Sequence, residues 1–519
     1  MQIRRVLSFA AVVALALAML PNPAGAAAGV TYVTEDGVTK TDNVDVVAHI
    51  PYLGGSEVDS DGERYLFAGQ AALTENLRRK SPVTAPDAQG GLRIIDLEGE
   101  VDPETGERVG QFEVVGHLDC PGTDNYVRYM DPEVFNTEEG DREFVAVAHH
   151  GNACTAQALR RDPHTAAGYG AQNGVMIVDV TDKTNPTIAS VIGHYSAHTV
   201  MPHPTRPYLY ILPGGLPTNG TSAPSRIAPT GIVDVSDPYN PRYVRSFQHN
   251  QSGCHDLGFS HDGDYAYCAG FQEVQVWQID GDKIENPQVT GRIVNPAIMF
   301  AHNVVVSPSG KYIAINDEAF GFHTCTGEAA DLYGSLWIYD ISIPDAPVLA
   351  GRISPPGHPN PNHITGALDD VGPVQGWAQS WCAAHNYNWL PGTDDVIVAS
   401  WFAGGITAHD MSNPMQPKLL AHYMPHDGVA WSGHYYAGYM VTNDMARGVE
   451  ILDVPEVRAL EGSVEDGETA ARTSLALPLA QPRVDMSDLL IPKVLPPRPT
   501  PKRDLSEGGI CVIPGSPLT

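Results

Sequence analysis

Five histidines stand in matching surroundings along this 519-residue chain. They occur in Ser196-Ala197-His198-Thr199-Val200, Gly253-Cys254-His255-Asp256, Ala301-His302-Asn303-Val304, Ala384-His385-Asn386-Tyr387 and Gly433-His434-Tyr435-Tyr436. Each sits in a short polar cluster that opens a run of alternating apolar residues. Three or four neutral imidazoles meeting at one point form a site for a transition metal, Cu or Fe before others. His198, His255, His302, His385 and His434 are therefore the candidate metal ligands. Cys254 and Cys382 lie close enough in sequence to add sulfur, although pairing with another cysteine competes for both. The opposing reading is structural: polar residues at the start of a strand cap it or bond to the neighbouring backbone, and a repeated fold then repeats them without any metal. Both readings stand at this level.

Whether the imidazoles can meet depends on the elements that carry them, and those elements repeat. The phrase Trp401-Phe402-Ala403-Gly404-Gly405-Ile406-Thr407-Ala408-His409-Asp410-Met411-Ser412-Asn413-Pro414 reads as a strand, a glycine turn and a second strand ending on Asp-x-Ser-Asn-Pro. Val178-Asp179-Val180-Thr181-Asp182, Val233-Asp234-Val235-Ser236-Asp237-Pro238 and Tyr339-Asp340-Ile341-Ser342-Ile343-Pro344 repeat it, with weaker copies at Asp96, Asp280 and Asp453. Such self-similarity marks a radial or solenoidal β architecture. Asp124-Asn125-Tyr126 and Gly54-Gly55-Ser56-Glu57-Val58 fill the opening slot without histidine, which brings the openings to seven. The turns His261-Asp262-Gly263-Asp264 and Ser307-Pro308-Ser309-Gly310 carry residues suited to hairpins. The predicted fold class is all-β: a seven-bladed β-propeller over residues 27–457.

The ring has to close, because an open sheet edge invites aggregation. The last repeat supplies three strands, and Val44-Asp45-Val46-Val47-Ala48-His49-Ile50 resembles the outer strand Pro417-Lys418-Leu419-Leu420-Ala421-His422-Tyr423. The 44–50 segment is thus expected to complete the final blade. Insertions at 68–90, 152–172, 214–229, 319–333 and 355–380 fall at the rims, where binding residues concentrate. Residues 458–519, with Pro496-Pro497-Arg498-Pro499, read as a mostly irregular tail.

Gly-Val-Met-Ile-Val-Asp-Val at 174–180 and Gly-Ile-Val-Asp-Val-Ser-Asp-Pro at 231–238 resemble the LVIVD repeat. The resemblance spans roughly residues 90 to 455 and implies an exported seven-bladed propeller, without assigning a reaction. Ala399-Ser400-Trp401 with Asp410-Met411-Ser412-Asn413-Pro414 is similar to part of the selenium-binding protein family. That family includes copper-dependent methanethiol oxidases built on a propeller, and this short match carries over no catalytic residue.

The formal net charge of −30 excludes nucleic acid as a partner, since no basic stripe exists to release phosphate counterions. Arg4-Arg5, the apolar run from Val6 to Leu20 and Ala24-Gly25-Ala26 read as a signal peptide over residues 1–26, secretory or twin-arginine. No later run approaches the ~20 apolar residues of a membrane span. The expected location is extracytoplasmic, with the protein released rather than anchored. Seven cysteines then suggest disulfides. Cys254 and Cys268 sit at the outer ends of a predicted hairpin, Cys120 and Cys154 bracket another, Cys325 and Cys382 lie in loops on one face, and Cys511 is left over; spacing alone proves none of these pairings.

Weaker candidates are His149-His150-Gly151-Asn152 and His323-Thr324-Cys325 near a rim. Asp317-Glu318 suits Ca²⁺ or a solvated acidic pair, and Asn443-Asp444-Met445-Ala446-Arg447-Gly448 suits a turn. No nucleophile elbow, phosphate loop or dinucleotide motif is present. Two functions follow: a binding protein offering rim loops to a protein, glycan or small ligand, or a mononuclear metal oxidoreductase. The intact repeat grammar and the lack of any triad or nucleotide motif favour the binding protein, and the metal oxidoreductase is the alternative.

Overall fold

A computed structural model of the chain describes residues 31–71, 90–103, 105–106, 108–119, 125–135, 142–149, 174–193, 197–212, 229–247, 253–271, 273–319, 325, 333–356 and 382–462. The proposed leader, Cys120, Cys154, His150, His323, most of the five insertions and the tail beyond Gly462 lie outside the described residues. Every sheet but one short ribbon is a blade of at least four antiparallel strands, and there are seven such blades. Their inner strands begin at Gly55, Asn125, Thr199, Asp256, Ala301, Tyr387 and Ala430, for blades 1 to 7 in order.

The repeat phrase explains the turn between the third and fourth strands in five of the blades. The aspartate that ends the third strand accepts a hydrogen bond from the backbone N–H two residues on. It does so at Asp96 (Glu98 N, 2.9 Å), Asp179 (Thr181 N, 3.0 Å), Asp234 (Ser236 N, 3.0 Å), Asp340 (Ser342 N, 2.8 Å) and Asp410 (Ser412 N, 2.9 Å). A carboxylate in this local ring starts the turn that a plain strand would not make. Cations hold several of these carboxylates from outside: Arg142 Nη1 lies 2.7 Å from Asp179, and Arg242 Nη2 lies 2.8 Å from Asp234. On the inner side, Gly263 (φ +71°) and Gly310 (φ +73°) supply the left-handed corner of the first hairpins in blades 4 and 5.

Third strands such as Gly174–Asp179 are buried along their whole length. This follows from blades stacked face to face, since alternate side chains enter two different interfaces. Met176 and Val178 pack toward blade 1 with Phe67 and Leu92, whereas Val175 and Ile177 pack toward blade 3 with Leu209 and Val233. Each adjoining pair of blades shares one such apolar cluster. The pair that closes the ring, blades 7 and 1, shares Val441, Val449 and Ile451 with Leu66, Ala68 and Ile95.

Blades also touch where the turn of one meets the fourth strand of the one before. Ser190 Oγ donates to Pro238 O at 2.5 Å, and a Cβ on Gly351 would stand 1.8 Å from Pro414 O. Closure occurs as expected from the 44–50 segment: Asp45–Pro51 pairs antiparallel with Gly448–Asp453 as the fourth strand of blade 7. One feature was not expected. Tyr32–Glu35 and Val38–Thr41 form a hairpin that extends blade 6 beyond Lys418–Pro425, making a six-stranded sheet. Among the described residues no helix is long and apolar enough to cross a membrane.

Candidate functional site

Four of the five histidines lie in one row. From blade 3 to blade 6 the ring centroids of His198 and His255 are 4.7 Å apart, those of His255 and His302 are 4.1 Å apart, and those of His302 and His385 are 4.3 Å apart. All four are buried. The row arises because each residue opens the inner strand of its blade, and inner strands surround the axis.

His434 does not join the row. In blade 7 the pairing shifts between Ala430 and Ser432, and Trp431 takes the place beside the row, with its carbonyl accepting from His385 Nδ1 at 2.5 Å. His434 lies farther along its strand and places Nε2 2.7 Å from Glu57 Oε1. The matching phrases in the sequence hid this offset: Ala430 pairs with Asp444 as Ala301 pairs with Asp317, so Trp431 is the counterpart of His302 and His434 stands three residues farther along.

The backbone sets the protonation of two ring members. His255 Nδ1 lies 3.0 Å from His302 O, and His385 Nδ1 contacts Trp431 O. A carbonyl only accepts, so Nδ1 carries the hydrogen in both rings and Nε2 carries the lone pair. This is the tautomer that a metal-ligating histidine adopts, with a carbonyl as its outer partner. The partner comes from the next blade rather than from the adjacent Asp256 or Asn386. Burial pushes the pKa of His385 down to about 4. Burial, followed by repulsion from His255, His385 and His198, holds His302 well below the usual imidazole range. Both rings are neutral at physiological pH.

A carboxylate joins them. Ligand atoms of His302, Glu318 and His385 all lie within 4.8 Å of one another, and His302 Nε2 is 3.8 Å from Glu318 Oε2. Glu318 is fully buried, and Asp317 beside it is too. The two are thus no solvated acidic pair. Asp317 accepts from the backbone N–H groups of Met299, Phe300, Ala319 and Gly334, while burial raises its pKa to about 6. Glu318 instead faces the imidazoles. Counted along the second strand from Tyr265, Tyr312 and Val396, it fills the position that Phe271 holds in blade 4 and Phe402 in blade 6. Those rings lie against histidines, Phe402 being 4.5 Å from His385 and Phe271 being 6.1 Å from His255. Blade 5 has a carboxylate where its neighbours have phenyl groups. Sequence reading paired Glu318 with Asp317 and missed this; the signal available was its place opposite the aromatic slot of the flanking repeats.

Asn316 fixes the seam between blades 5 and 6. Its Oδ1 accepts from Asn303 N at 2.6 Å, and its Nδ2 donates to Ala384 O at 2.9 Å and His385 O at 3.0 Å. Both amide protons are thereby directed at carbonyls. The 3.4 Å approach of Nδ2 to His302 Nδ1 leaves that ring's tautomer unset.

Farther along the channel lies a second charged group. Arg128 Nη1 is 3.3 Å from Glu57 Oε1, Asn386 Nδ2 donates to Glu57 Oε2, and Tyr126 OH donates to Asp256 Oδ2 at 2.6 Å. Burial works to raise the pKa of Glu57, but Arg128 and His434 outweigh it and hold the carboxyl below its usual range. Asp256 goes the other way, burial carrying it up to about 6.

Cys254 and Cys268 are joined, with Cα atoms 5.5 Å apart, and so are Cys325 and Cys382, at 4.8 Å. Both distances suit a disulfide.

The LVIVD repeat model matches residues 169–192, the third strand of blade 2 and part of its fourth. No curated protein matches the chain. Solved structures similar to it include the β-propeller domain of Myceliophteria thermophila Cps50 (Swd1), at 9% identity and TM-score 0.46, covering 79% of this chain and 98% of that one. A putative 6-phosphogluconolactonase from Bacteroides uniformis aligns at 12% identity and TM-score 0.45, over 74% of this chain and 89% of that one. The periplasmic gluconolactonase PpgL of Pseudomonas aeruginosa aligns at 12% identity and TM-score 0.44, over 79% and 90%. The chain is a seven-bladed β-propeller that carries an LVIVD repeat.

Proposed function

We propose that this propeller is a mononuclear metalloprotein with oxidoreductase chemistry, its metal held by His302, His385 and Glu318. The observation that carries the reading is the approach of two neutral imidazoles and one carboxylate to within 4.8 Å, all of them buried. Two histidines and one carboxylate leave coordination positions open, and that donor set suits non-haem Fe(II) best among redox-active metals. Copper is the alternative that the selenium-binding resemblance implies. His255 and His198 extend the imidazole row and offer further nitrogen close by. Phe300, Phe402 and Trp431 surround the row with apolar rings. An apolar shell of this kind limits water and tunes the potential of a bound ion.

The two disulfides favour an oxidising compartment, in keeping with the basic, apolar and small-residue pattern of residues 1–26. The test is elemental analysis of purified protein alongside a His302→Ala/His385→Ala variant. Stoichiometric Fe or Cu that vanishes in the variant supports the reading. Metal-free protein that remains unchanged in stability with chelator overturns it, and leaves a propeller that binds a protein, glycan or small ligand through its rim loops.

A further inference from the structure

The proposed centre takes its ligands from two blades, and a covalent link joins the two segments that carry them. Glu318 leaves the second strand of blade 5 (Tyr312–Asp317), and Cys325 follows in the same connection. Cys382 stands just ahead of His385 at the entry to blade 6. The Cys325–Cys382 disulfide, with a sequence separation of 57, therefore ties the Glu318 segment to the His385 segment. Both sulfur-bearing residues are buried, at 4% and 0% exposure, so the link belongs to the packed interior. Hydrogen bonds run across the same seam. Ala384 N donates to Gly334 O at 2.8 Å, Gly334 N donates to Asp317 Oδ2 at 2.9 Å, and Asn316 Nδ2 holds the carbonyls of Ala384 and His385. The other disulfide has a different reach. Cys254–Cys268, with a separation of 14, staples one hairpin of blade 4 and bridges none of the three ligands.

We propose that Cys325–Cys382 is a positioning latch, which gives the protein its full metal affinity only once the disulfide has formed. The inference rests on the metal reading above. Coordination demands that ligand atoms from two blades hold a spacing set by one ion. If the segment after Glu318 is untethered, that spacing must be fixed at the moment of binding, and the ordering entropy is charged against affinity. A link made during folding removes that cost beforehand. Its formation is ordinary thiol–disulfide exchange with a disulfide donor of the exporting compartment. One Cys325–Cys382 S–S bond forms, the donor's S–S bond becomes two thiols, and the two protons and two electrons pass to the donor. The order of maturation follows: oxidation first, metal second.

The experiment is titration of metal-depleted full-length protein with Co(II), whose d–d absorption reports coordination, on three proteins: wild type, Cys325→Ala/Cys382→Ala and Cys254→Ala/Cys268→Ala. The expected result is weakening by about 10- to 100-fold in the first variant, as for loss of an outer support of a metal site, and unchanged affinity in the second. Unchanged affinity in Cys325→Ala/Cys382→Ala overturns the latch and leaves the metal reading intact. Equal weakening in both variants also overturns it, since general loosening then suffices. Wild-type protein that takes up no Co(II) overturns the metal reading, and the latch with it. If the first variant does not fold, wild type reduced with dithiothreitol and capped with iodoacetamide, with mass spectrometry identifying the opened pair, supplies the same comparison.

Discussion

His302 Nε2 and Glu318 Oε2 stand 3.8 Å apart in a fully packed interior, on the inner strand of blade 5 and at the end of the strand beside it. A direct hydrogen bond needs a shorter approach, and two ligand atoms that each lie ~2.1 Å from one tetrahedral ion stand about 3.4 Å apart, so an inward shift of about 0.4 Å would bring this pair to coordinating distance. Glu318→Gln keeps the shape and replaces a ligating carboxyl oxygen with an amide. It is expected to lower affinity for a divalent metal by about 100-fold or more, beyond what loss of an outer partner does, with little change in unfolding temperature. Calorimetric titration of the depleted protein measures this. Equal affinity in the variant removes Glu318 from the ligand set.

Acid should unfold this protein through its buried histidines. Burial lowers the pKa of His203, His385 and His422 from 6.5 to about 4, and that of His409 to about 3. A depressed pKa means that the unfolded chain takes up protons first, so stability is full above 6.5 and is lost as pH falls toward 4. Asp256 and Asp317, raised from 3.8 to about 6, have the opposite sign and gain stability as pH falls through 6. The histidine contribution is isolated with His422→Gln, since His422 places Nε2 2.7 Å from Gly404 O and accepts from Tyr32 OH on Nδ1. The expected stability gap between wild type and variant is largest near pH 7 and shrinks between pH 6.5 and 4. Urea midpoints across that range test it, and a constant gap contradicts it.

The scaffold was legible because its signals are local. An aspartate that ends a strand and turns the chain within two residues leaves the same trace in five of the blades, and the 44–50 strand could be matched to Pro417–Tyr423 by likeness alone. The row of His198, His255, His302 and His385 followed from the repeat. What was not legible depends on register. His434 stands three residues past Trp431, which holds in blade 7 the place that His302 holds in blade 5, and likeness of phrase does not reveal that register. Glu318 looked like the partner of Asp317, because facing the channel rather than a ring of backbone amides is decided by the turn after Asp317. The Tyr32–Thr41 hairpin lies against blade 6 through pairing such as Lys40 with Tyr423, far away in sequence.

Blade spacing sets up a further test at Gly351. It sits opposite Ile338 in the fourth strand of blade 5, and a Cβ there would meet Pro414 O of blade 6 at 1.8 Å. Backbone cannot yield as a side-chain tip does. Gly351→Val is therefore expected to destabilise the fold by about 3 kcal/mol or more, read from the denaturant midpoint. Substitution at Gly62, where nothing lies within 4 Å, serves as the control for added bulk, although its φ of +84° brings some strain of its own. A Gly351→Val protein as stable as wild type would mean that the blade 6 turn does not seat against that strand.

The channel's charged group answers whether structure and metal can be separated. Glu57 Oε1 lies 2.7 Å from His434 Nε2 and 3.3 Å from Arg128 Nη1, and its other oxygen accepts from Asn386. Glu57→Gln removes the negative charge between a guanidinium and an imidazole that are both largely enclosed, with Arg128 keeping only 14% of its side chain exposed. Stripping one partner from a buried pair costs about 3–5 kcal/mol, since the remaining charge stays desolvated. The expected outcome is a lowered urea midpoint together with Co(II) affinity equal to that of wild type, because His434 lies outside the His302–Glu318–His385 group. If metal affinity falls in proportion to stability, the charged group and the metal site act as one unit, and the division of labour between the two ends of the channel is wrong.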